Sequence, residues 1–126
     1  MIKAEIYISK EITDERTICG FKVVNHGDSI LCAAMSMLSI NTVNSLEALT
    51  AARLEYSYNP NGGYIECLLP GILAGEREPE AEILLRSFVM GVTFAQESYK
   101  GINLKYEEKS DDFTVSKKTH SKTYMR

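Results

Sequence analysis

The chain has 126 residues, room for one domain around one modest core. A hydrophobic share of 44% and a charged share of 25% are those of an ordinary globular protein, and no apolar run is long enough to span a bilayer. The net charge of −3 excludes a strongly basic nucleic-acid-binding body.

The first element is a half-buried strand. Ile2, Ala4, Ile6 and Ile8 alternate with Lys3, Glu5 and Tyr7. The opening MIKAEIYISK has no signal-peptide pattern, so the expected location is cytoplasmic. A polar turn from Lys10 to Arg16 leads to a second strand, where Cys19, Phe21 and Val23 alternate, and the two predict a hairpin. Asn25 to Ser29 reads as a loop, with Asp28 or Ser29 able to cap the next helix. A helical pattern runs from about Ile30 to Ala52, with a weak helix-forming middle, SINTVNS, where a bend or break can occur.

Leu54, Tyr56 and Tyr58 mark a third strand, and Ile65, Cys67 and Leu69 a fourth. The run Asn59-Pro60-Asn61-Gly62-Gly63 between them is a dense turn signal and predicts a second hairpin. Pro70 to Gly75 reads as a connector. Pro79 then suits a first helical turn, and Leu84, Leu85, Phe88, Val92, Ala95 and Tyr99 form an apolar stripe. Gly101 stops this helix, and Ile102, Leu104 and Tyr106 give a fifth strand. The expected fold is α+β with the order ββαββαβ: a mainly antiparallel sheet with two helices packed on it, leaving one face for a partner. Residues 1–108 form this single domain, and 109–126 are expected to be a flexible, polar, basic tail. That tail holds five of the 14 basic and two of the 17 acidic residues, so the body before it is acidic. It offers at most a weak RNA contact, and neither DNA nor a membrane is an expected partner.

Three cysteines, an odd number without CxxC or zinc-type spacing, predict free thiols and no metal or other cofactor. Cys19 and Cys67 read as inward strand residues. Cys32 is different, because it falls where the loop becomes a helix. Free N–H groups and the helix dipole favour an anion there, and a thiolate at such a place can perform acyl transfer if a base is near. His26 lies six positions earlier and is one of only two histidines; the other, His120, is in the tail. Gly27 gives the short connection backbone freedom. Backbone N–H groups of Cys32 and Ala33 are the expected oxyanion donors.

The stretch GFKVVNHGDSILCAAMS resembles the signature of the ribosomal-processing cysteine protease (Prp) family, which reads roughly GF-x-V-x-GHA, a loop, then G-x-DIVCAAVS. The resemblance continues through the Asn61-Gly62-Gly63 turn, the helix LLRSFVMGVTFAQESYK and the strand INLKY. It implies a small bacterial cysteine endopeptidase, commonly a homodimer, that removes an N-terminal extension from a large-subunit ribosomal protein or a related phage structural protein. Cys32 matches the nucleophile and His26 the base. Gly27, Asp28, Ser29 and Ser36 complete the motif, with Ala33 and Ala34 as the small residues that let the helix start pack closely. This chain departs in a shortened His-to-Cys loop, in Asn25 where the family has Gly, in Ser29 where it has Asp, and in the added tail. The alternative is a catalytically inactive, dimeric Prp-like binding module.

Overall fold

The computed structural model describes residues 1–12, 17–25, 29–59 and 63–115. Alternation writes the first two strands. Ile2, Ala4 and Ile6 of β1 (Ile2–Ser9) share one sheet face with Cys19, Phe21 and Val23 of β2 (Ile18–Val24). The strands pair antiparallel, Ala4 opposite Val23 and Ile6 opposite Phe21. The remaining elements are α1 (Ile30–Leu49), β3 (Glu55–Tyr58), β4 (Tyr64–Leu68), α2 (Pro70–Leu73), α3 (Pro79–Ser98) and β5 (Ile102–Lys109). The five strands make one sheet in the order β3-β4-β2-β1-β5.

The α+β order is the expected one, with two differences in detail. Pro70 to Leu73, read as connector, forms the single turn α2, with Pro70 at its start. The sheet is mixed, because β5 pairs parallel to β1, with Ile2 opposite Ile102 and Ile6 opposite Tyr106. The reason is parity. β4 runs antiparallel to β2, and β2 antiparallel to β1, so β4 and β1 point the same way. The 20-residue α3 returns the chain to the end of the sheet where β4 began, so β5 must run with β4 and hence with β1.

α1 is unbroken through SINTVNS. Ser39 and Thr42 donate their hydroxyls to the carbonyls of Met35 and Leu38 at 2.7 and 2.8 Å. Val43 and Leu46 are fully buried, so tertiary packing offsets the poor local propensity. α3 starts on Pro79, and Glu82 reaches back to accept the Glu78 N–H at 2.7 Å. The same carboxylate pairs with Arg77 at 2.8 Å.

The two long helices lie side by side on one face of the sheet. Phe88 of α3 stacks on Phe21 of β2, ring centroids 4.1 Å apart. Truncating such a ring costs about 3–5 kcal/mol. The helices approach closely at Gly91, where a Cβ would sit 2.9 Å from the Leu38 side chain. The opposite sheet face is polar but not empty. Tyr7 and Tyr64 both donate to the buried Glu66 carboxylate. Burial first, then Glu66, holds the Tyr7 hydroxyl far above its ordinary titration range. Phe113, inside the segment expected as tail, meets the Tyr7 ring edge-on at 5.2 Å, and the Lys109 ammonium lies over both rings. Val115 is buried too, and the Phe113–Tyr7 contact covers part of the face expected to await a partner. Residues 116–126, including His120, lie outside the described residues.

Candidate active site

The start of α1 sits at one end of the sheet, where four chain segments meet. β1 begins there, with Ile2 N–H donating to Gly101 O at 2.8 Å. β2 ends there at Val24, opposite Tyr64 of β4. Asn25 comes next in the left-handed region, with φ 66°. Its N–H donates to Gly63 O at 2.7 Å, and its Nδ2 reaches Met1 O at 3.4 Å. Gly63 has φ 89°, a conformation glycine adopts without strain. Leu31, from the first turn of α1, packs toward Gly101.

Ser29 is the N-cap of α1, in an extended conformation (φ −76°, ψ 165°). Its hydroxyl accepts the Cys32 N–H at 3.1 Å, and its carbonyl accepts the Ala33 N–H at 2.9 Å. The two N–H groups expected to serve an oxyanion are therefore both engaged by Ser29. The first turn of α1 carries no acidic side chain. Cys32 itself is buried, 8% exposed, and its Sγ–H points to Asn25 O at 3.8 Å. Ala33 and Ala34, expected to pack closely, face solvent instead, because helical spacing turns Cys32 and Met35 inward. Ser36 is half-buried on the same helix. His26, Gly27 and Asp28 lie outside the described residues, as do Asn61 and Gly62.

The other two thiols have a different setting. Cys19 and Cys67 lie in β2 and β4 with no exposure. Burial pushes the Cys19 thiol up to about 12 and drives Cys67 higher still, with the Glu47 and Glu66 carboxylates adding to it. Neither can supply a thiolate at neutral pH. Among the described residues no group of three or more His, Cys, Asp or Glu is placed to hold a metal ion, and no described helix is long and apolar enough to cross a membrane. Sequence reasoning missed Asn25. Its signal was present, since Asn is among the few residues besides Gly that tolerate a left-handed turn and it stands where the Prp pattern has Gly.

The model of the family "Cysteine protease Prp" matches residues 1–103. The chain belongs to this family. It is 26% identical over 83 residues to the ribosomal processing cysteine protease Prp of Staphylococcus aureus, covering 65% of this chain and 74% of that protein. The solved structure of the S. aureus ribosomal processing protease Prp with a covalently linked product peptide superposes with a TM-score of 0.70 and 25% identity, over 85% of this chain and 100% of the other. A Streptococcus mutans protein shares the fold at a TM-score of 0.68 and 23% identity, over 86% of this chain and 99% of its own. The homologues of this Prp-family chain are thus ribosomal-processing cysteine proteases.

Proposed function

We propose that the chain is a cytoplasmic cysteine endopeptidase that removes an N-terminal extension from a large-subunit ribosomal protein, with Cys32 as nucleophile and His26 as base. The observation that carries this reading is the position of Cys32: in the first turn of a helix, its sulfur against the carbonyl of the residue bonded to His26. The S. aureus Prp structures with a substrate peptide and with a covalently linked product peptide support it.

In this mechanism His26 takes the Cys32 proton, and the sulfur attacks the scissile carbonyl carbon. The tetrahedral oxyanion draws on the helix-start N–H groups, with Cys32 N–H exchanging the Ser29 hydroxyl for the developing charge. The C–N bond breaks as the imidazolium gives its proton to the leaving amine. Water then hydrolyses the thioester, releasing the acid and restoring the thiol. The working form is a homodimer, supported by exposed apolar side chains on the helix layer, Met37 of α1 with Met90 and Phe94 of α3. Sedimentation equilibrium checks it, and a monomer at micromolar concentration contradicts it.

The deciding experiment is cleavage of a peptide copying the extension and its junction, with Cys32→Ala as control. Cleavage at one bond by the parent and none by the variant is expected. A folded parent that cleaves no such peptide contradicts the protease reading and leaves the inactive binding module.

A further inference from the structure

We infer that Asn25 is a positioning residue for the Cys32 sulfur, and that its left-handed backbone is what aims its carbonyl at the thiol. The inference deepens the reading of Cys32 as nucleophile and rests on it. Among the described residues Asn25 is the only non-glycine with positive φ. Side chains with a Cβ are strained there, and Asn is among the least strained. Two contacts hold the conformation: Asn25 N–H donates to Gly63 O at 2.7 Å, and its side-chain amide donates to Met1 O at 3.4 Å. With the N–H pinned to Gly63 O, the left-handed φ sets where the Asn25 carbonyl group lies. It points at Sγ of Cys32, 3.8 Å away and seven residues on in sequence.

A carbonyl that accepts an S–H bond does two things. It selects one orientation of the sulfur, and it favours the protonated over the ionised form. Asn25 therefore helps to aim the nucleophile, and the contact is given up when a base takes the proton. The side-chain amide is not needed for this, because the backbone carbonyl makes the contact. Asn25→Gly should therefore preserve the arrangement, and a residue that resists positive φ should lose it.

The test compares the parent with Asn25→Gly, Asn25→Ala and Asn25→Val. Alkylation of Cys32 by iodoacetamide is followed across pH by peptide mapping, beside turnover of the extension peptide. Asn25→Gly is expected to keep the parent's alkylation midpoint and turnover. Asn25→Val is expected to move the midpoint about half a unit to lower pH, as loss of one weak hydrogen bond to the neutral thiol implies. Its kcat should fall roughly 5- to 30-fold with KM little changed, the cost of forcing a side chain into the left-handed region. Asn25→Ala, less strained and folding more readily, should shift in the same direction. A Gly variant displaced as far as the Val variant, or Ala and Val variants with the parent's midpoint, would overturn the assignment. Alkylation needs no peptidase activity, so the two readings separate. Shifted midpoints with no turnover even in the parent sink the protease and leave Asn25 standing. Parent turnover with unshifted midpoints sinks Asn25 alone.

Discussion

The two long helices have the same length, 20 residues, and opposite starts. α3 begins on Pro79 with Glu80 and Glu82 in its first turn, and Glu82 closes back on the Glu78 N–H and on Arg77. Its positive end is filled by its own carboxylates. α1 has no acidic residue in its first turn, and among the described residues its cap is the neutral Ser29 hydroxyl, which accepts the Cys32 N–H. Among the described residues, one helix start thus carries carboxylates of its own and the other carries none, and a helix start favours negative charge. The difference sets a helix start closed by its own carboxylate against one whose cap is a neutral hydroxyl beside a thiol.

The largest expected effect comes from removing the sulfur proposed as the nucleophile. Cys32→Ala should lower turnover of the extension peptide by about 10³-fold or more. Cys67→Ala, in the strand interior, should keep kcat and lose about 1 kcal/mol of stability in denaturant unfolding. The next variant makes α1 resemble α3. Ile30 is 91% exposed, so Ile30→Glu adds a first-turn carboxylate without disturbing the core. It should raise stability by about 0.5 kcal/mol while lowering turnover about fivefold, because the same charge that suits the helix dipole opposes the anion. Variants that gain stability and keep full turnover would break the comparison.

Ser29→Ala removes the α1 cap and should cost about 1 kcal/mol, read as a lower denaturant midpoint. Glu82→Gln probes the α3 end and has the smallest effect. The Arg77 hydrogen bond, outweighing burial, holds the Glu82 carboxyl below its ordinary range. A lowered carboxylate contributes stability above its unfolded value, near 4.3, and loses it as pH falls through the folded one. The parent should exceed Glu82→Gln by about 0.5 kcal/mol at pH 7, a small value because Arg77 is partly exposed, and by less as pH falls through the lowered folded value. Thermal melts across this pH range check this, and Cys32 alkylation should not change.

The strands, hairpin pairings and both long helices were legible from local pattern, because side-chain period and turn chemistry are properties of neighbouring residues. The parallel pairing of β5 with β1 was not, since it depends on where α3 returns the chain. Cys32 stood out because a cysteine after GDSIL falls where a cap and a helix dipole meet. Which N–H groups remain open was not legible, as it turns on Ser29 engaging both Cys32 and Ala33. Asn25 was hidden for a related reason. A polar residue after a strand reads as loop, and only its φ and its bond to Gly63 reveal that it faces the thiol.

The most direct measurement mixes the folded protein with iodoacetamide at neutral pH, maps the modified cysteines by mass spectrometry and tracks peptide cleavage in the same samples. Cys32 should be modified while Cys19 and Cys67 stay unmodified, and cleavage should disappear in proportion to the Cys32 adduct. Cleavage that survives complete modification of Cys32 would contradict the account.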